Sequence, residues 1–334
     1  MTGTDPLRRG LRFLKSRLLD PEYPLTAIEV RPRALGVVRL ERQGHAVTLG
    51  AAASVDLPEG LVRLSISEPN LNDREAFTRV MGSVLERAGA LKQGRVALVL
   101  PDPVARLALL PAAELGGRRG RELVEMVRFK LRKTVPFEIR SARIALLQPV
   151  RTADTVLVAA VSLPVLEGYE EVVRQVGLEP GLVELSSLSL LGARAADEET
   201  GDRLLVNWDN HYASLVVSRD GWPLLIRTLT EAAATPEALV AETAQTVLYY
   251  RERIGGPGLS GAVVRSAVLP PDDAVALLRE PLGLAPEILD PWAGLSGGLP
   301  PQNRSGLAGG EDDLAAQALA GAVSSVVRSA QRAA

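Results

Sequence analysis

The chain contains no cysteine, and this one absence removes thiolate catalysis, structural disulfides and cysteine-ligated zinc together. Histidine is nearly as scarce: only His45 and His211 offer imidazole, so no metal site is expected. Aromatic residues make up 4% of the 334 positions, which argues against stacking platforms for single-stranded nucleic acid. No apolar run reaches the roughly 18 residues that span a bilayer, and the N-terminus lacks an apolar segment followed by a small-residue cleavage site. Charge of one sign is also missing. The 38 basic and 40 acidic residues leave a net charge of −2, with no global field pointing to nucleic acid or to an acidic substrate. The expectation is a soluble cytoplasmic protein. Hydrophobic residues account for 46% of the chain, enough for two domains with aliphatic cores.

The first segment, LRRGLRFLKSRLL (7–19), spaces Leu7, Leu11, Leu14 and Leu18 as one helical face, with Arg8, Arg9, Arg12 and Lys15 mostly on others. Residues 1–23 are therefore set apart as a basic amphipathic arm, either docked on its own domain or facing a membrane or partner. Three β-like runs follow, LTAIEVR, ALGVVRLER and HAVTLGAAASVDLP, separated by RPR and QG turns, which predicts an antiparallel meander. Asn72 or Asp73 can cap the helix DREAFTRVMGSVLERAGAL. From 101 to 181 the chain reads strand, helix, strand, strand, helix, a compact α+β unit inside a larger domain. Its charged helix over 118–137, RRGRELVEMVRFKLRKTVPF, carries far more Arg and Lys than Glu. Such a face is either simply solvated or built for an acidic partner or anionic headgroups.

A polar stretch at 197–202 precedes a second β-meander, RLLVNWD, YASLVVSRD and WPLLIRTL, and then the long helix PEALVAETAQTVLYYRERIGG. The glycines of GGPG (255–258) stop that helix; without a following Lys and Ser or Thr they are no P-loop. Residues 294–311 are rich in Gly, Pro and Ser and are expected to form a flexible loop before a final amphipathic helix. Adjacent carboxylates, Glu170 with Glu171 and Asp272 with Asp273, suit solvated helix surfaces and caps better than acid–base chemistry. His211, alone in a loop, is assigned no catalytic role.

One motif occurs twice: strand, tight turn, strand, turn, strand, then helices. This duplication is the layout of the actin-like ATPase fold (ribonuclease H-like), whose two hairpin turns face a cleft between domains. More specific phrases, AIEVRPRALGVVRL, RVALVLPDPVARLALLP, KTVPFE, TVLVAAVSLPVLEGYEEVVRQVGLEPGLVELSSLSLL and LVAETAQTVLYYRERIG, resemble the PilM family over about 24–291. The resemblance implies an α/β protein with two actin-like domains, 24–200 and 201–334. The unit at 101–181 would then be the inserted subdomain of the FtsA and PilM type. It also implies a scaffold of a type IV pilus, or of type II secretion as in the relative GspL, peripheral to the inner membrane. The scaffold would hold the cytoplasmic tail of a bitopic PilN-like partner in a groove beside the subdomain. Arg128, Phe129, Lys130 and Arg132 are the candidate contacts. Homo-oligomers, or a membrane-tethered filament, fit the same fold.

Members that bind ATP with magnesium carry Asp and Gly in both turns, because glycine lets main-chain N–H groups approach phosphate. Here the first turn reads Glu29, Val30, Arg31, Pro32, Arg33. Proline has no N–H, and arginine stands where glycine is needed. The second reads Asn207, Trp208, Asp209, Asn210, His211: an amide at the Asp position and a carboxylate at the Gly position. Like charges about 4 Å apart repel by roughly 4 kcal/mol at an effective dielectric of 20. Where a Gly-Gly adenosine turn belongs, the chain reads VLPPDD. A degenerate cleft at Glu29, Arg31, Asn207 and Asp209 is expected, with no catalytic residue, metal or cofactor; the alternative is a divergent ATP site in which Arg31 and Arg33 grip phosphate.

Overall fold

The computed structural model describes residues 24–43, 46–91, 94–147, 154–194, 201–230, 235–290, 292, 295 and 319–332. The N-terminal arm 1–23, His45 and, apart from Leu295, the segment 294–311 lie outside the described residues. Strands Thr26–Val30 (β1), Ala34–Gln43 (β2) and Ala46–Asp56 (β3) form the first antiparallel meander. Helix Arg74–Arg87 (α1) follows, its Ala76 N–H held at 2.9 Å by the carboxylate of the cap Asp73. Arg95–Leu100 (β4) then runs parallel to β1.

The chain next leaves this sheet. Ala105–Pro111 (β5), Ala112–Leu115 (α2), Gly120–Leu131 (α3), Ala142–Leu147 (β6) and Thr155–Ser162 (β7) build a separate three-stranded sheet, order β5-β7-β6, under α2 and α3. Leu123, Val127 and Leu131 of α3 are buried against Val156, Val158 and Ala160 of β7. The helix expected over 118–137 is thus confined to 120–131. Gly120 takes a left-handed φ of 53°, which breaks any helix entering from Arg118. Pro136 disfavours the helical region for Val135 beyond its end.

Helix Leu163–Gln175 (α4) was expected inside the inserted unit, but its Val165, Leu166, Tyr169, Val172 and Val173 are buried in the core of the first sheet. Glu179–Leu185 (β8) completes that sheet in the order β3-β2-β1-β4-β8. After Ser186–Arg194 (α5), the second half repeats the plan. Asp202–Asp209 (β9), Tyr212–Arg219 (β10) and Trp222–Thr230 (β11) form the second meander, and Pro236–Glu252 (α6) leads to Gly261–Ser266 (β12). Helix Pro271–Leu282 (α7) and Glu287–Ile288 (β13) finish a sheet ordered β11-β10-β9-β12-β13.

The final helix, Ala320–Arg332 (α8), belongs by sequence to the second half, yet it packs on the first sheet. Ala322, Val323 and Val327 meet Ala27, Val38 and Ala97 there. Burying that apolar face on the nearest open sheet outweighs chain order. On the second sheet the period of two sends Leu204, Val206 and Trp208 outward to α6 and α7. Leu205 points inward, to Leu190 of α5 and Ala320 of α8. The helices α5 and α8 are therefore sandwiched between the two sheets, and the ends of β1, β4, β9 and β12 converge beside them.

Candidate functional site

Asn207 and Asp209 share the inward face of β9, two residues apart. They are strand residues; the hairpin turn itself is only Asn210 and His211, because Asp209 still pairs with Tyr212 across the ladder. Glu29 is likewise within β1, and the chain turns at Arg31, where Arg31 N–H bonds Ala34 O at 2.9 Å. Arg31 reaches across to the other half of the molecule. Its Nε lies 2.7 Å from Asp209 Oδ2 and its Nη2 3.3 Å from Oδ1, a forked pair. The Arg31 side chain is 6% exposed and that of Asp209 0%.

A second guanidinium closes the network. Arg265 of β12 stands beside Asn207 in the parallel register, and its Nη1 donates to Asn207 Oδ1 at 3.1 Å and Asp209 Oδ2 at 3.0 Å. Its Nη2 lies 3.6 Å from Glu29 Oε1. The other Glu29 oxygen, Oε2, accepts the N–H of Ala322 in the first turn of α8 at 2.8 Å, a helix end that favours negative charge. Asp102, just beyond β4, accepts from the Ser187 N–H at 3.0 Å and from the Ser187 hydroxyl, with the Asn207 amide at 3.4 Å. Glu29, Asp102, Asn207, Asp209 and Arg265 are all fully buried.

Burial and neighbouring charge divide these carboxyls. Desolvation raises Asp209, but the Arg31 and Arg265 guanidinia outweigh it and hold that carboxyl well below the usual range. For Glu29 desolvation wins over Arg265 and Arg31 and pushes the carboxyl up. Desolvation also raises Asp102 against its hydrogen bonds from Ser187, Ser214 and Asn207.

Of the residues singled out in the turns, Glu29, Arg31, Asn207 and Asp209 thus meet in one cluster. Arg33 does not: it faces the surface and pairs with Glu59 at 3.4 Å. Asp102 and Arg265 carried no signal in the sequence reading, although an arginine inside an otherwise apolar strand, GAVVRS, is itself a clue. This donor set does not fit a magnesium-bound triphosphate. Both Asp209 oxygens and Glu29 Oε2 already accept from protein groups, Glu29 Oε1 faces the Arg265 guanidinium at 3.6 Å, two guanidinia stand between the hairpins, and Pro32 offers no N–H. Among the described residues no group of His, Asp and Glu is placed to hold a metal ion.

Outside the cluster a groove of about 620 Å³ separates the loop 59–66, the start of β5 and the inward face of β11. Arg33, Arg63, Arg106 and His211 line it with Leu64 and Ile226. The loop is fixed by buried Asn70, whose Oδ1 accepts from the Tyr169 hydroxyl at 3.2 Å and whose Nδ2 donates to Ser65 O and Glu68 O, each at 2.8 Å. In the basic helix α3, Arg128 donates to Ala142 O at 3.2 Å and Lys130 pairs with Glu114 at 2.5 Å. Phe129 is 60% exposed, with the Arg132 guanidinium 4.5 Å from its ring centre.

Duplicated sheets, an inserted subdomain and a cleft between the halves define an actin-like fold. A chain from the PilM–PilN type IV pilus biogenesis complex shares it, with a TM-score of 0.73 over 93% of this chain and 99% of its own at 21% identity. The cytoplasmic domain of EpsL, an inner-membrane component of the type II secretion system of Vibrio cholerae, matches at a TM-score of 0.47. It covers 72% of this chain and 81% of its own, at 11% identity. A Bacteroides thetaiotaomicron protein with an actin-like ATPase fold and unknown function also reaches 0.47, over 81% of this chain and 92% of its own, at 11% identity. The chain has the actin-like fold in its PilM form. No protein-family model and no curated protein matches the sequence.

Proposed function

We propose that this chain is a non-catalytic scaffold of a type IV pilus or related secretion machine. It would work at the cytoplasmic face of the inner membrane by holding the cytoplasmic tail of a bitopic, PilN-like partner. The observation that carries this reading is the guanidinium pair in the cleft: Arg31 and Arg265 are bound to Asp209, so the center of an actin-like fold is filled by its own side chains. The groove is the seat for the tail. It lies beside the inserted subdomain, where the PilM resemblance expects a tail, and among the described residues Arg63 and Arg106 on its walls form no ion pair, which suits an acidic segment. Phe129 and Arg132, the exposed members of the 128–132 cluster, offer a second contact on α3.

The rival is an ATPase of the same machinery, and ligand-linked stability decides between them. A nucleotide at 100 times its dissociation constant stabilises a protein by about 2.7 kcal/mol. The expected result is no change in melting temperature with millimolar MgATP, together with binding of a synthetic peptide copying the cytoplasmic tail of a bitopic, PilN-like membrane protein. A clear upward shift with MgATP would overturn the filled cleft, and phosphate release on top of it would establish the ATPase instead.

A further inference from the structure

Both lips of the groove continue directly from the buried ion pair. Arg31 is followed by Pro32 and Arg33, which line the first lip; Asp209 is followed by Asn210 and then His211, which lines the second. Each lip is also tied to its charged residue: on the first the Arg31 N–H bonds Ala34 O at 2.9 Å, and on the second the Asp209 carboxylate Oδ1 accepts the Asn210 N–H at 2.8 Å. The two lips thus leave the cleft on either side of the Arg31–Asp209 pair, which joins the halves at this edge beside the packing on α5 and α8.

We propose that Arg31 and Asp209 form a latch. By holding the two halves of the molecule together, the pair sets the width of the groove, and with it the affinity for a tail that touches neither residue. This rests on the reading that the groove seats a tail. Closure of a cleft needs an interaction that favours the closed state over the open one. Here the attraction is built into the chain, so the closed state needs no bridging ligand. The forked geometry, 2.7 and 3.3 Å, tolerates little displacement. Neutralising Asp209 leaves Arg31 without its hydrogen-bonded counter-charge in a dry site and favours an opening that lets water reach it. Opening separates Pro32 from His211 and widens the groove. Arg265, which spans from Asp209 to Glu29, reinforces the same closure.

The absence of cysteine makes the test direct. Spin labels on cysteines placed at Glu86 of α1 and Ala276 of α7, both exposed and on opposite halves, report the spacing by double electron–electron resonance. The full chain is compared with Asp209→Asn and with Arg31→Lys, which keeps the charge but loses the fork and serves if the first variant does not fold. The synthetic tail peptide, fluorescently labelled, reports the groove. The expected result is a wider distance distribution in the variants and a roughly tenfold loss of tail affinity, the loss produced when the closed state falls to about a tenth of the molecules. An unchanged distance distribution in both variants overturns the latch, whatever the peptide does. A widened distribution with unchanged affinity overturns its coupling to the groove. If the unmodified chain fails to bind the peptide while the variants open, the latch stands and the groove reading falls.

Discussion

Glu29 and Ala322 are 293 residues apart in the chain and meet at 2.8 Å, the carboxylate Oε2 accepting the N–H in the first turn of the last helix. The close approach leaves no room at the preceding residue. A Cβ on Gly321 would stand 2.6 Å from Glu29 Oε1 and 2.9 Å from its carboxyl carbon.

Gly321→Ala is therefore expected to destabilise by about 1–3 kcal/mol, the usual cost of overpacking, although alanine is the better helix former by about 1 kcal/mol. Gly82, inside α1, is the control. A Cβ there meets nothing within 4 Å, so Gly82→Ala should stabilise by up to about 1 kcal/mol. Urea unfolding of the two variants reads the difference in sign.

Two carboxyls of one network should respond oppositely to pH. Glu29 is raised by burial, so its contribution is complete below the unfolded value of about 4.3 and is lost as pH rises through its folded value. Asp209 is depressed by Arg31 and Arg265, so its contribution is complete above about 3.9 and is lost as pH falls through its folded value. Relative to the parent chain, Glu29→Gln should gain stability as pH rises above about 4.3. The deficit of Asp209→Asn should be largest near neutrality and shrink below pH 4. Urea midpoints across this range test both trends.

Removing Asp209 should cost more than removing Arg31. Asp209→Ala takes the hydrogen-bonded carboxylate from Arg31 and leaves Arg265 with only Asn207 and, at 3.6 Å, Glu29, whereas Arg31→Ala leaves the carboxylate paired with Arg265 at 3.0 Å. Breaking a buried pair costs about 3–5 kcal/mol, and Asp209→Ala belongs at the upper end. The apolar double replacement Arg31→Met with Asp209→Leu should lose less than the sum of its single variants, with a coupling of about 0.5–3 kcal/mol. Additive losses in a double-mutant cycle would show that the pair is not a unit.

The exposed cluster on α3 should be nearly silent in stability. Phe129→Ala removes a ring that is 60% exposed and one cation–π contact, an expected change of less than about 1 kcal/mol by thermal or urea unfolding. In tail-peptide titrations Arg106→Glu, which puts a carboxylate on the groove wall, should weaken binding more than Phe129→Ala does.

Much of the scaffold was legible because it rests on local rules. The β-like apolar runs around TAIEV and RLLVNWD, the Asp73 cap and the glycine stop after α6 each follow from the hydropathy, charge or backbone freedom of neighbouring residues. The duplication followed because both meanders use the same pattern. The misplaced elements were those whose packing partner is distant. Helix α4 reads as part of the insert and α8 as part of the second half, and an amphipathic stripe does not say which sheet will cover it.

By itself the sequence determined that neither hairpin could present a glycine cradle: proline, arginine and a carboxylate at those positions are covalent facts that no packing alters. What those residues do instead was decided only in three dimensions. The approach of Arg31 to Asp209, of Arg265 to both acidic strand ends and of Ala322 to Glu29 depends on two sheets closing over α5 and α8. Charge pairing across a cleft is a property of the distance between folded halves, and no spacing along the chain encodes that distance.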